Sequence, residues 1–270
     1  MSKTRLDTLV YEKGLAESRE KAKTTVMSGL VYVNGQKADK PGMQVPEDAE
    51  IEVRGNACPF VSRGGYKLDK ALKVFPIDAK DKVCLDCGAS TGGFTDVLLK
   101  NGAKKVYAVD VGYGQLAWTL RNDPRVVNIE RTNARYLNSD TIPETVDIAV
   151  TDASFISVKL LLPAIIPLLA ESGDIVCLIK PQFEAGRDQV GKKGVVRDPN
   201  VHISVIEDIC AFAKMQGLRV EGLDYSPIKG PEGNIEYLMY LGKGSADSTA
   251  GGDIKSLIPD VVEAAHESLR

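Results

Sequence analysis

Five short apolar runs limit the folds open to this chain more than any other feature. They are VCLDCG (83–88), KVYAVDV (105–111), VVNIE (126–130), VDIAVTD (146–152) and DIVCLIK (174–180). Each is nearly continuously hydrophobic instead of alternating, which is the pattern of a strand buried on both faces. Helical stretches such as GGFTDVLLKNG and LLLPAIIPLLAESG lie between several of them. Strands alternating with helices predict an α/β fold with a parallel sheet covered on both sides. SRGGYKLDKALKVF leads in as a one-sided helix, with Leu68, Ala71, Leu72 and Phe75 at i, i+3, i+4 and i+7. Two late runs, LRVEGLDYSPI and IEYLMYLGK, read as a hairpin-like strand pair at the sheet edge.

The first 53 residues have a different rhythm. RLDTLVYEKGL reads as a short helix with Leu6, Leu9 and Val10 on one face and Gly14 at its end. Ser18 caps a second helix with Ala22, Val26 and Met27 inward and Gly29 at its C-terminal end. VYVNGQKA predicts a strand that turns at Asn34-Gly35, and AEIEVR (49–54) closes a small α+β unit. We therefore expect a small domain at 1–56, a linker at 57–61, a large domain at 62–244, and a polar spacer with a short acidic helix at 245–270.

CLDCGASTGGF (84–94) raises a choice between thiol chemistry and ligand binding. Cys84 and Cys87 are three apart on one strand, so their side chains face opposite sides and do not form a redox pair. Zinc wants about four ligands; the chain adds only His202 and His266 and no second close cysteine pair, so no metal is expected. The alternative is a strand that delivers a small-residue loop and a helix N-terminus to a ligand. Asp110 ends the next strand, where a carboxylate can accept both hydroxyls of an adenosine ribose. A dinucleotide fingerprint needs glycine at position 90, which is serine. The pattern D-x-G-x-x-x-G-x-F suits S-adenosylmethionine, which has no pyrophosphate to cradle.

Charge narrows the partners. The net charge is −3, but residues 1–75 carry +3 and the remainder −6. A basic N-terminal quarter is compatible with RNA. Five cysteines, odd in number and irregular in spacing, fit a reducing cytoplasm. The longest apolar run, Leu160–Ala170, is interrupted by Pro163 and Pro167 and is too short for a membrane span.

Lys67, Asp152, Lys180 and Glu236 sit on the helix before the first strand, at the ends of the fourth and fifth strands, and at the start of the last. In order and strand position they resemble the K-D-K-E tetrad of FtsJ-type ribose 2′-O-methyltransferases. Residues 1–53, with RLD, SRE, GLVYVNG and KPG, resemble the alpha-L RNA-binding motif of a small-subunit ribosomal protein. With VSRGGYKL at the junction and KPQFEAGR after the fifth strand, residues 3 to 243 resemble the TlyA family. Its members are known both as hemolysins and as rRNA cytidine 2′-O-methyltransferases. The resemblance implies a Rossmann-like, doubly wound, mostly parallel seven-stranded sheet with an antiparallel edge strand. It implies an enzyme that takes a methyl group from S-adenosylmethionine, leaving S-adenosylhomocysteine, and acts on rRNA or ribosomal subunits. The loop after Asp152 reads ASFIS and lacks the N-P-P-Y of base-nitrogen methyltransferases.

On this reading the cofactor residues are Asp86, Gly88, Ala89, Ser90, Thr91, Gly92, Gly93, Phe94, Asp110 and Asn133, the last standing where many methyltransferases carry an acid. Lys180 is the expected proton acceptor; burial and its like-charged neighbour Lys67 act to lower its pKa, and the charges of Asp152 and Glu236 act to raise it. Asp152 and Glu236 are expected to orient both ammonium groups. Arg5, Ser18, Arg19, Lys21, Lys23 and Arg63 are the expected RNA contacts, with GRDQVGKKGVVR (186–197), net +3, extending the basic path. Two other classes compete: a membrane-lytic protein, and an RNA-binding module without activity. The acidic tail disfavours the first and the complete tetrad the second. We expect a cytoplasmic monomer without stable membrane association. Because the chain begins almost at the RNA-binding motif, the large-subunit RNA is the favoured substrate.

Overall fold

Residues 3–54, 58–244 and 254–269 are described by the structure, a computed structural model. They fall into two units, Met1–Arg63 and Gly64–Arg270. Part of the expected linker and all but one residue of the polar stretch at 244–252 lie outside the described residues.

The first unit is built from β1 (Lys3–Arg5), α1 (Leu6–Glu12), α2 (Arg19–Met27), β2 (Val31–Val33), β3 (Gln36–Ala38), β4 (Gln44–Pro46) and β5 (Ile51–Val53). Its core joins Leu6, Leu9 and Val10 of α1 to Ala22 and Val26 of α2 and to Val31, Ala38 and Val45. Ser18 caps α2 by accepting the Lys21 N–H at 3.2 Å. Asn34 and Gly35 turn the β2–β3 hairpin with φ of 49° and 77°, the left-handed pair that a two-residue hairpin needs. Two expectations change. Met27 is 61% exposed, and Thr25 takes the inward place, because i, i+3 and i+4 share a helix face and i+5 does not. The antiparallel pair β1 and β4 was not anticipated, since three residues are too few to display alternation.

The second unit begins with α3 (Gly65–Val74). The sheet strands are β6 (Val83–Cys87), β7 (Lys105–Val109), β8 (Val126–Ile129), β9 (Val146–Thr151), β10 (Leu169–Ile179), β11 (Leu218–Tyr225) and β12 (Tyr237–Lys243). Between them run α4 (Gly93–Lys100), α5 (Trp118–Arg121), α6 (Leu162–Ile165), α7 (Pro181–Glu184) and α8 (Pro199–Met215). The strand order is β11-β12-β10-β9-β6-β7-β8. The five strands β6 to β10 are parallel, and β12 is antiparallel to both its neighbours. The order reverses beside β6, so the ligand crevice of such a sheet opens at its carboxyl end. LLLPAIIPLLAESG does not make the single helix expected. Pro167 has no N–H for a continuous ladder; α6 is four residues long, a 3₁₀ turn covers Ile166–Leu168, and β10 starts at Leu169.

The chain ends in α9 (Ile254–Ser268), which packs on β11 and α8 through Ile254, Ile258, Val262 and Ala265 and so belongs to the second unit. It brings the chain's two histidines together. His266 Nε2 is 3.2 Å from His202 Nδ1, which also receives the Tyr237 hydroxyl at 2.6 Å, while His202 Nε2 meets the Val196 carbonyl at 3.1 Å. Burial pushes His202 down to about 4, and Asp198 and His266 are the charges around it. The folded value lies below the unfolded one, so the native state refuses a proton that the unfolded chain accepts. Stability is full above pH ~6.5 and is expected to fall by about 3 kcal/mol as pH drops towards ~4. Urea midpoints of the wild type and His202→Gln, compared across that window, should converge at low pH; parallel curves would refute the assignment.

Candidate active site

Each functional side chain expected at a strand end stands one residue outside the strand. Asp110 follows β7, Asp152 follows β9, Lys180 follows β10 and Glu236 precedes β12. Parallel strands put their carboxyl ends on one edge, and the antiparallel β12 begins where they finish, so the four groups share that edge.

The ions form one connected cluster. Lys67 Nζ donates to Asp152 Oδ2 at 2.9 Å and to Glu236 Oε2 at 2.7 Å. Lys180 Nζ donates to Asp152 Oδ1 at 2.8 Å, to the Asp152 carbonyl at 3.0 Å and to Ser154 Oγ at 3.0 Å. Lys67, Lys180 and Glu236 are buried, at 6%, 5% and 1% exposed. Burial by itself would lower Lys67, but the attraction of Asp152 and Glu236 outweighs it and holds the ammonium above its ordinary value. The expected repulsion between the lysines is therefore offset, because Asp152 bonds to both.

A cavity of about 780 Å³ adjoins the cluster through Asp152. Its walls include Gly88, Ser90, Asp110, Asn133, Arg135 and Phe155. The loop after β6 needs its glycines: Gly88 has φ 84°, and a Cβ there would come within 3.0 Å of the Ala153 backbone. Gly92 has φ 94° and faces the side chains of Leu116 and Leu120. Asp110 accepts the Ser90 N–H at 2.8 Å and the Gly112 N–H at 2.7 Å, tying this loop to the next strand. Asn133 caps a 3₁₀ turn through Arg135 N while lining the cavity.

The remaining loop residues do not line this wall. Ala89, Gly92, Gly93 and Phe94 are buried beneath it, and Thr91 is exposed outside it. Asp86 is 1% exposed. Its Oδ2 accepts the Thr95 N–H and hydroxyl at 2.9 and 2.7 Å, while Oδ1 has no partner. Burial raises its carboxyl to about 7, against the pull of the Thr95 hydrogen bonds. Cys84 and Cys87 are buried free thiols, and burial lifts Cys84 to about 12, far from the thiolate form.

Sequence reasoning missed Ser154, Phe155 and Glu184. Phe155 is 90% exposed at φ 64°, with its ring 5.2 Å from Phe183. Glu184 accepts the Ser157 hydroxyl at 2.6 Å and the Val158 N–H at 2.8 Å, so Lys180 and Glu184 fasten the two ends of the ASFIS loop. The acid in KPQFE was a visible signal, but its partner lies 27 residues away.

In the first unit, Arg19, Lys21 and Lys23 are exposed along α2, and Arg63 is exposed at the end of the unit. Arg5 is held by Asp7 through Nε at 3.0 Å and Nη2 at 2.6 Å, so its charge is largely matched. Arg19 also reaches Thr8 at 3.5 Å.

A doubly wound sheet in this order, with a glycine-bearing loop, a nucleoside-sized cavity and no pyrophosphate cradle in the sequence, defines a methyltransferase-type α/β enzyme. The chain belongs to the FtsJ-like methyltransferase family, whose model matches residues 60–243, and residues 4–51 match the S4 domain. It is 51% identical to the Bacillus subtilis protein YqxC, described as an rRNA methyltransferase, over 99% of this chain and 96% of that one. It is 46% identical to the 16S/23S rRNA (cytidine-2′-O)-methyltransferase TlyA of Mycobacterium tuberculosis, over 88% of this chain and 90% of the relative. A solved Streptococcus thermophilus protein described as a hemolysin is 49% identical, with a TM-score of 0.77, covering 99% of this chain and 97% of that one. No helix among the described residues is long and apolar enough to cross a membrane.

Proposed function

We propose that this protein transfers a methyl group from S-adenosylmethionine to the 2′-hydroxyl of a cytidine in ribosomal RNA. The observation that carries the reading is the cluster of Lys67, Asp152, Lys180 and Glu236 at the wall of the cavity. S-adenosylmethionine, when bound, supplies a methyl group already activated on a sulfonium. The chain then needs to hold the acceptor oxygen in place and manage one proton.

The cavity walls suit this cofactor. Gly88 admits a close approach and Asp110 offers carboxylate oxygens at the ribose position, while Asp86, outside the wall and buried, keeps an orphaned Oδ1. Asn133 lines the expected base end. Asp110→Ala is expected to weaken cofactor binding by ~1–3 kcal/mol, the value of hydrogen bonds to a charged group. Calorimetry showing unchanged affinity would move the cofactor elsewhere.

Lys180 is the group proposed to take the hydroxyl proton. Its Nζ has three acceptors, which an ammonium fills completely. The base role therefore requires one proton to leave first, and Asp152 Oδ1 is the carboxylate oxygen in reach. Lys67 stays an ammonium and fixes Asp152 and Glu236. Arg19, Lys21 and Lys23 are the proposed phosphate contacts of the first unit, with Ser18 setting the helix end that presents them.

Incubation with labelled S-adenosylmethionine and unmodified ribosomal subunits, followed by mapping of 2′-O-methyl positions, tests the reading. Label on a large-subunit cytidine ribose is the expected result. Label on a base nitrogen, or on protein, would overturn it.

A further inference from the structure

We propose that the second unit carries its own RNA-stacking face, formed by Tyr113 with Arg131 and Tyr136 with Arg135, which takes unpaired nucleotides flanking the acceptor. This rests on the reading above that the substrate is RNA. Tyr113 and Tyr136 are 67% and 68% exposed, among the most open large apolar side chains of the described residues. Each is paired with a guanidinium: Arg131 lies 4.3 Å from the Tyr113 ring centre and Arg135 lies 5.4 Å from that of Tyr136.

The two pairs adjoin the cavity. The Arg131 N–H donates to the Gly112 carbonyl at 3.0 Å and the Thr132 N–H to the Asp110 carbonyl at 2.9 Å, stitching the loops after β7 and β8 together. Val111, Gln115, Thr132 and Arg135 of these loops line the cavity itself. The charge is available as well. Arg121 and Arg125 nearby are bound to Glu130 and Asp123, whereas neither Arg131 nor Arg135 is in an ion pair among the described residues. Residues 76–270 are net −6, so two unneutralised guanidiniums side by side with exposed rings are a local feature, not a general basicity. Arg131 holds φ 54°, a conformation unfavourable for a residue with a Cβ, as do Ser90 and Phe155 in the wall of the adjoining cavity. Such strain persists where the surrounding structure over-determines it, and it gathers at functional sites.

The chemistry selects the ligand. A guanidinium on one side of a ring leaves the rest of the ring for a nucleobase, while its N–H groups can meet phosphate. Base faces are free in unpaired RNA and hidden in an A-form duplex.

The test uses the full-length protein without cofactor and an unstructured RNA oligonucleotide carrying one 2-aminopurine, with a duplex of the same length as comparison. Single-stranded RNA should bind more tightly than duplex and quench the 2-aminopurine. Tyr113→Leu with Tyr136→Leu should lose at least ~5-fold in affinity and the quenching, since base–aromatic stacking is worth that much per base. Tyr113→Phe with Tyr136→Phe should retain both. Unchanged quenching and affinity in the leucine variant, or equal loss on duplex, would overturn the proposal. Loss of binding to whole ribosomal subunits with unchanged oligonucleotide binding would assign the face to a protein partner and overturn it too. No methyl transfer enters this measurement, so its failure is distinct from failure of the methyltransferase reading.

Discussion

Replacing Lys180 with alanine is expected to slow single-turnover methyl transfer by at least ~10²-fold, the usual contribution of a positioned acid–base group. Cofactor affinity should be unaffected, because Lys180 touches Asp152 and Ser154 and is not in the wall formed by Gly88, Ser90 and Asp110. The informative variant is Lys180→Arg. A guanidinium stays protonated at working pH and cannot accept the hydroxyl proton. Its planar fork also cannot reproduce three acceptors arranged around one nitrogen. The arginine variant should therefore be nearly as slow as alanine. If Lys180→Arg keeps more than about a tenth of the rate, the proton-acceptor role fails, because losing a base costs at least ~10²-fold. Lys180 would then act as a fixed positive charge beside the developing oxyanion.

Much of this site could be read from the chain because its residues mark element ends. Asp110, Asp152 and Lys180 each follow a run of apolar residues that can only be a buried strand, and parallel strands align those ends without any knowledge of side-chain contacts. The tetrad's members were legible for that reason, and so was the expectation that the carboxylates orient the ammonium groups; which carboxylate meets which lysine was not. Asp152 bonds to both lysines, and at Lys67 attraction outweighs burial, a balance the sequence left open; the contacts span 85 and 28 residues, beyond the reach of local periodicity. Phe155 and Arg131 escaped notice because a left-handed φ at a non-glycine residue is imposed by the surrounding fold. Likewise nothing in α9 marks His266 as the neighbour of His202, 64 residues earlier. Local failures had local causes: proline ended the helix before β10, and three-residue strands left no pattern.

The ion cluster itself supplies the second large expected effect. Two ammoniums and two carboxylates, most of them out of water, sum to zero charge. Glu236→Gln leaves an excess positive charge and Lys67→Met an excess negative one. Breaking a buried pair by removing one partner typically costs ~3–5 kcal/mol, since the survivor cannot regain its hydration. Each single variant should show a loss of that order in urea unfolding. The Glu236 site has little room to relax: a Cβ on Gly230 would stand 2.7 Å from Glu236 Oε1, so the loop closes directly over the carboxylate. The double variant removes one charge of each sign and leaves Asp152 with Lys180 alone, again neutral. Its loss should be clearly smaller than the sum of the two single losses, with a coupling of ~0.5–3 kcal/mol as measured for residues in one network. Methyl transfer should remain impaired in the double variant even as stability recovers, because Lys67 and Glu236 position Asp152 and restoring neutrality does not restore their contacts. Strict additivity of the stability losses would mean that the cluster is hydrated well enough to treat its charges independently. Recovery of activity together with stability would mean that Lys67 and Glu236 serve the fold alone.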